Sequence, residues 1–61
     1  MILSAIQHRD TRELIMFFKN GIRISKREYY NIKSDPLLMK NYNSAHTIIT
    51  RSGNYKHTFS I

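Results

Sequence analysis

The feature that most constrains this chain is an unbroken run of five large apolar residues, Leu14 to Phe18. Helix signals flank the run. Asp10 is a residue type that caps a first helical turn, and Glu13 has the spacing of a capping box. Gly21 suits the left-handed position just past a helix end. We therefore predict a helix from Asp10 to Gly21 with Phe17 buried. Because the run covers more than one helical face, we expect it to pack on two sides or to lend one side to a partner.

The chain length limits how much core can form. With 61 residues, the chain is expected to be one small basic domain over 1–61. A chain of about 60 residues buries only about 60% of the surface that its unfolded form exposes. There is no cysteine, so neither a disulfide nor a thiolate zinc site can stabilise it. Stability must come from packing of four tyrosines and three phenylalanines, from a larger partner or from a homodimer.

The charge balance favours negatively charged partners. Ten Lys and Arg against four Asp and Glu give a net charge of +6. No acidic residue follows Asp35. Such a balance attracts nucleic acid or an acidic protein surface, although it also serves solubility alone.

The first eight residues, Met1 to His8, have two interpretations. Ile2, Leu3 and Ile6 have helical spacing, which favours a helix, but a short strand packed on the next element is the alternative. No basic residue precedes this apolar start, so we expect no signal peptide. No run approaches the roughly 20 apolar residues of a membrane span. We therefore expect a soluble, cytoplasmic protein without a membrane partner.

The second helix has the clearest start. Ser25 to Glu28 has the spacing of a capping box, and the helix is expected to run to Lys33 and to end before Pro36. Residues 21–24 before it are predicted to be extended, with Ile24 packing on Tyr29.

A third, short helix is predicted after Asp35. Asp35 serves as the cap and Pro36 occupies the first helical position. Its apolar residues are Leu37, Leu38, Met39 and Tyr42, and it is expected to end within 41–43.

The tail changes to strand periodicity. Thr47 to Thr50 is β-branched throughout, and Tyr55, Phe59 and Ile61 fall on one side of an extended segment. With Gly53 in the turn, this pattern predicts a β-hairpin. Two registers remain open. A two-residue loop pairs Ile48 with Phe59, whereas a three-residue loop places Ile49 on the same side as Phe59.

The predicted fold class is α+β, with three short helices followed by a C-terminal β-hairpin. In element order this resembles a winged helix-turn-helix domain, although no family motif is present. The resemblance implies that a helix enters the major groove of DNA and that the hairpin contacts the backbone or minor groove.

The function that we expect is that of a small nucleic-acid-binding regulator. Basic side chains on a helix face and on the hairpin would contact the phosphate backbone. The candidate binding residues, for nucleic acid or another partner, are Arg23, Lys26, Arg27, Tyr30, Lys33, Lys40, Arg51 and Lys56.

The alternative is a small protein-binding inhibitor or modulator, such as a viral protein that takes over a host enzyme. Its support is the apolar run Leu14 to Phe18, the Tyr29-Tyr30 pair and the cluster at 37–39. Tyr, Phe, Met and Arg are common at interface centres. The same residues equally suit a domain core.

Catalysis is not expected. His8, His46 and His57 are scattered along the chain. If His46 and His57 met across the hairpin, Lys56 beside them would complete a ribonuclease-like set, but exposed strand residues are the simpler interpretation. Two histidines do not make a zinc site. We expect no enzyme activity, no metal site and no cofactor.

Overall fold

In the part of the chain that the structure describes, five strands form an antiparallel sheet and two segments form short helices. The computed structural model describes residues 1–40 and 44–61. The strands lie in the order β3-β2-β1-β5-β4, so the first and last strands of the chain are neighbours. The elements are β1 Ile2–Gln7, β2 Leu14–Lys19, β3 Ile22–Ile24, α1 Lys26–Lys33, α2 Pro36–Met39, β4 Ser44–Ile49 and β5 Tyr55–Ser60.

The predicted order of three helices and a hairpin is wrong, because the stretch from Asp10 to Gly21 is not helical. It forms a loop, strand β2 and a tight turn. Asn20 and Gly21 both have positive φ, 51° and 82°, which is the type I′ geometry that joins β2 to β3. Gly21 therefore closes a hairpin rather than a helix. Since alternate strand residues face opposite sides, an unbroken apolar run supplies both faces of the sheet.

The preference for a helix at Met1 to His8 is also wrong, and the strand alternative is correct. This segment is β1, which pairs with β2 on one side and β5 on the other. Leu3 and Ala5 are fully buried. The two chain ends are joined, because the Met1 amine donates to the Ile61 carbonyl at 2.7 Å.

The two later helices are confirmed. The Ser25 hydroxyl accepts a hydrogen bond from the Glu28 amide at 3.1 Å and caps α1. The Asp35 carboxylate accepts from the Leu37 amide at 2.9 Å, with Pro36 in the first turn of α2. The extended segment predicted before α1 is confirmed as β3. The predicted end of the third helix at 41–43 lies outside the described residues.

The C-terminal hairpin is confirmed, with the three-residue loop Arg51 to Gly53. The Thr50 amide donates to the Asn54 carbonyl at 2.8 Å, and the Gly53 amide donates to the Thr50 carbonyl at 2.9 Å. Gly53 has a φ of +88°, as this loop type requires at its last position. Ile49 lies opposite Tyr55, on the same side of the sheet as Phe59.

The core forms where α1 packs on one face of the sheet. The buried apolar residues are Leu3, Ala5 and Phe17 from the strands and Tyr29 from the helix. The predicted burial of Phe17 is confirmed, at 6% exposure. Partly buried residues that pack against this cluster are Leu14, Ile24, Ile32, Phe59 and Ile61.

Candidate nucleic-acid interface

The two faces of the sheet differ in what covers them. Tyr29 and Ile32 of α1 pack on the face that carries Leu3, Ala5 and Phe17, which we call the helix-side face. The residues between these positions along each strand point to the other side. We call that side the open face, because the core contacts of the described helices lie on the helix-side face.

A continuous row of side chains crosses the open face through all five strands. Arg23 of β3 lies opposite Phe18 of β2, and Phe18 lies opposite Ser4 of β1. Ser4 lies opposite Thr58 of β5, which in turn lies opposite His46 of β4. Since neighbouring strands are about 4.8 Å apart, this middle row is roughly 19 Å long.

A second row lies beside the middle row. Met16 lies opposite Ile6, Ile6 opposite Lys56, and Lys56 opposite Ile48. Positions two residues apart along a strand are separated by about 6.7 Å, so Lys56 is one such step from Thr58. The two rows thus combine two cations, the Phe18 ring, the His46 imidazole, two hydroxyls and several aliphatic side chains.

The side chains of the open face differ in how far they are exposed to solvent. Ser4 is only 4% exposed, although α1 lies on the opposite side of the sheet. Its strand and cross-strand neighbours therefore cover it. Phe18 is half-buried, whereas Met16 and Ile48 are 38% and 52% exposed. A ligand on this face would meet a ring and aliphatic groups before it reached the hydroxyl of Ser4.

The acidic side chains stand away from both rows. Asp10 and Glu13 lie in the loop between β1 and β2, Glu28 lies in α1, and Asp35 caps α2. Within residues 1–40 and 44–61, one ion pair is shorter than 4 Å. It joins Arg9 Nε to Asp10 Oδ2 at 3.9 Å. Arg23 is exposed and Lys56 is half-buried. Neither has a carboxylate beside it in its row, so the open face attracts anions.

The eight residues predicted to bind a partner fall in three places rather than on one surface. Arg23 and Lys56 lie on the open face. Arg51 lies in the loop of the C-terminal hairpin. The other five belong to the helices or their ends, namely Lys26, Arg27, Tyr30, Lys33 and Lys40.

Two of the helical residues border a cleft. An open cavity of about 400 Å³ is lined by Arg12, Glu13, Leu14, Lys26 and Tyr30. The lining includes Glu13 as well as the cations Arg12 and Lys26, and the Glu13 carboxylate opposes a bound anion. Lys33 is used differently, because its Nζ lies 4.4 Å from the centroid of the Phe59 ring, and this cation–π contact packs it on the helix-side face.

The histidines do not form a shared site. His46 points to the open face and His57 to the helix-side face, so the two histidines do not meet across the hairpin. Lys56 shares the side of His46, and the ribonuclease-like set is therefore not formed. His57 hydrogen-bonds instead to Thr47 Oγ1 at 2.9 Å and to Gln7 Oε1 at 2.8 Å. Among the described residues there is no group of three or more His, Cys, Asp or Glu that could hold a metal ion.

Phe18, Thr58 and His46 are absent from the sequence-based set. The helical interpretation of the apolar run hid the alternation that separates Phe17 in the core from Phe18 on the open face. One local signal that indicates the alternation is the Asn20-Gly21 pair, because Asn-Gly between apolar segments is a strong hairpin indicator. With Asn20-Gly21 taken as a turn, Phe18 and Arg23 become cross-strand neighbours.

The fold defines a class of small basic protein with an antiparallel sheet covered by helices on one face. Comparison with protein families, curated proteins and solved structures finds no match for this chain. Neither of the described helices is long and apolar enough to cross a membrane.

Proposed function

We propose that this protein is a small regulator that binds single-stranded nucleic acid on the open face of its sheet. The observation that carries the proposal is the middle row. Arg23, Phe18, Ser4 and Thr58 follow one another across the sheet, with Lys56 one step away. No acidic residue belongs to either row. The lack of cysteine in the sequence fits a reducing compartment such as the cytoplasm.

Each side chain has a chemical part in the proposal. Aromatic rings on a sheet stack on unpaired bases, and Phe18 supplies the ring. Arg23 and Lys56 contact phosphates, which supply most of the sequence-independent affinity. The hydroxyl of Thr58 and the ring of His46 offer hydrogen bonds to base edges. A single strand is favoured over a duplex because its bases are free to stack on a sheet. The helical major-groove contact expected from the sequence has no counterpart in this sheet-based site.

Salt-dependent binding tests the phosphate contacts. Labelled single-stranded oligonucleotides are titrated with wild type and with the Arg23→Gln/Lys56→Gln double variant at several salt concentrations. For single strands, log Kobs falls with log salt by about 0.7 per phosphate neutralised, so losing two contacts should flatten the slope by roughly 1.4. The matched control is Lys26→Gln/Arg27→Gln, which removes the same charge from α1 and should leave most of the slope intact. Equal effects of both double variants would show that only net charge matters.

Stacking is tested by Phe18→Leu, which keeps an apolar side chain and removes the ring. Base–aromatic stacking contributes about 1–3 kcal/mol per base, so affinity should fall by roughly 5- to 150-fold at one salt concentration. Met16→Leu, on the same strand and face, should change affinity little. A Phe18→Leu variant that binds like wild type would remove the ring from the proposal.

A second candidate is a small inhibitor that docks on a larger enzyme. The exposure of Ile2, Met16 and Ile48, at 42%, 38% and 52%, favours it, because all three lie on the open face. Absence of oligonucleotide binding at about 50 mM salt would overturn the first candidate, since phosphate contacts strengthen at low salt. The same basic face would then be complementary to an acidic protein surface.

A further inference from the structure

Strand β4 is an unprotected edge of the sheet. Residues Ala45 to Ile49 are all exposed, with Ile49 at 70%. In the described part of the chain, β4 pairs with β5 on one side and with no strand on the other. Natural sheets protect such edges with lysine, proline, bulges or a covering element. The β4 sequence Ser-Ala-His-Thr-Ile-Ile contains neither lysine nor proline, and its register with β5 is regular.

The hairpin geometry determines which backbone groups face outward. The Thr50 amide and carbonyl both bond within the hairpin, to Asn54 and Gly53. In an antiparallel ladder, the direction of these groups alternates along the strand. The amides and carbonyls of Ala45, Thr47 and Ile49 therefore point away from β5, towards the free edge.

We propose that β4 pairs antiparallel with β4 of a second copy of this chain, about a two-fold axis at Thr47. Thr47 then lies opposite Thr47 of the second copy, and Ala45 lies opposite Ile49 of the second copy. This register engages all three outward-facing positions on each strand. If the pairing register is shifted by two residues in either direction, one of the three outward-facing positions has no partner on the opposing β4.

The side chains also fit this register. Small Ala45 faces large Ile49 on one side of the sheet, and His46 faces Ile48 on the other. Directly opposed pairs of this kind stabilise a sheet when their sizes match and their charges do not repel. The interface is isologous, as a two-fold dimer requires.

A second copy of the chain is the expected partner of β4, because this uncharged edge lets two basic chains pair without opposing like charges. Each chain carries a net charge of +6, yet β4 contains no Lys, Arg, Asp or Glu. The other edge is the three-residue strand β3, which carries Arg23 and would bring like charges together. The core of one copy has only four buried apolar residues among the described part, so a chain of this size gains from association.

The dimer has a defined shape. Because Ala45 and Ile49 both lie on the helix-side face, their pairing keeps the helices of both copies on one side of a ten-stranded sheet. The open faces then form one continuous surface. This inference rests on the edge strand alone and is independent of what the open face binds.

Cross-linking tests the register, since the natural chain has no cysteine. Opposed Cα atoms in a hydrogen-bonded pair are about 5.5 Å apart. That separation lies within the range for a disulfide, roughly 4.4–6.8 Å. Thr47→Cys should therefore form a disulfide-linked dimer under mild oxidation. Ala45→Cys is the matched control, because the two copies of position 45 are roughly 13 Å apart along the strand. Equal cross-linking from both positions would overturn the proposed register.

Sedimentation tests the dimer without cross-linking. Wild type should change from monomer to dimer as its concentration rises towards about 1 mM, the upper end of weak association. Ala45→Pro removes an outward amide and leaves the bonds to β5 in place, so it should stay monomeric, whereas Ala45→Ser should dimerise. Ile49→Lys, which keeps the backbone unchanged, should also stay monomeric if the proline variant does not fold. A wild-type chain that is monomeric throughout, or an Ile49→Lys chain that dimerises like wild type, would overturn the proposal.

Discussion

The rings of Phe17 in β2 and Tyr29 in α1 lie 4.9 Å apart between centroids, with their planes tilted by 50°. Tilted aromatic pairs at this distance contribute about 0.5–1.5 kcal/mol beyond the area that they bury. Tyr30 extends the cluster, because its ring lies 5.3 Å from that of Tyr29 in an edge-on arrangement. These rings join α1 to the sheet. Their packing stabilises β2, the strand that also carries Phe18 on the open face.

Phe17→Ala should reduce the free energy of unfolding by about 3–5 kcal/mol, because it removes a buried ring and leaves a cavity. At roughly 0.05–0.15 kcal/mol per residue, a chain of this length has about 3–9 kcal/mol to lose, so the variant should lose about a third or more of its stability. Urea unfolding followed by circular dichroism measures the change. Phe18→Ala is the control on the neighbouring position, where the ring is half-buried and the loss should be smaller. An equal loss at both positions would contradict the assignment of Phe17 to the core.

Tyr29 should make stability fall at alkaline pH. Burial raises the pKa of its phenol above the ordinary value of 10.0, and the negative charge of ionised Tyr30 raises it further. The folded-state pKa is thus higher than the unfolded one, so the folded state holds its proton longer. Its contribution is fully present below about pH 10 and is lost as the pH rises through the folded value.

Urea unfolding at pH 7 to about 11 measures this loss. Tyr29→Phe has no proton to lose and should give a flatter pH profile between these limits. Tyr55→Phe, which leaves Tyr29 in place, should retain the decline. A decline that is unchanged in Tyr29→Phe would assign the alkaline sensitivity to other groups.

The elements predicted correctly are those specified by short-range chemistry. Ser25 and Asp35 cap helices through bonds to amides two or three residues away. Gly53 closes a hairpin within five residues. The prediction for β1 failed because the identity of this element depends on distant contacts. β1 becomes a central strand because β2 and β5 pair with it, and the β5 partners lie about fifty residues away in the chain. Nothing within Met1 to His8 encodes that pairing.

The candidate site was predictable in residue type but not in position. Arg23 and Lys56 were selected for their charge, and both lie on the open face. The side of the sheet that a strand residue faces alternates from one position to the next. A helical interpretation of Leu14 to Phe18 does not use this alternation. Phe18 was therefore assigned to the same apolar block as Phe17, although the two rings serve opposite faces.

Gly21→Ala should cost about 1–2 kcal/mol of unfolding free energy, because a non-glycine residue is strained in the left-handed region. Gly21 has a φ of +82° and nothing within 4 Å of a Cβ placed there, so strain alone sets the cost. Gly53→Ala has similar strain at +88°, and the Arg9 side chain lies 2.7 Å from the added Cβ. Gly53→Ala should therefore cost at least as much, with Arg9 displaced. Chemical denaturation compares the two. A Gly21→Ala variant as stable as wild type would contradict the type I′ turn.

The hydrogen bonds around His57 predict which ring nitrogen carries the proton when the ring is neutral. The Gln7 side-chain amide donates through Nε2 to the Arg12 carbonyl at 2.9 Å, and this orients its Oε1 towards His57. An amide oxygen only accepts, so His57 Nε2 must donate the bond of 2.8 Å. Nδ1 then accepts from the Thr47 hydroxyl at 2.9 Å. The neutral ring is therefore the Nε2–H tautomer.

Nitrogen chemical shifts of the three histidine rings, recorded at mildly alkaline pH, measure the tautomers. His57 should show a protonated Nε2 and an unprotonated Nδ1. In Gln7→Leu the acceptor is gone, and the preference should weaken. His46, which lies on the open face, serves as the internal reference in both proteins and should not change. A protonated Nδ1 at His57 in the wild-type chain would show that the two hydrogen bonds linking Thr47, His57 and Gln7 are not formed as described.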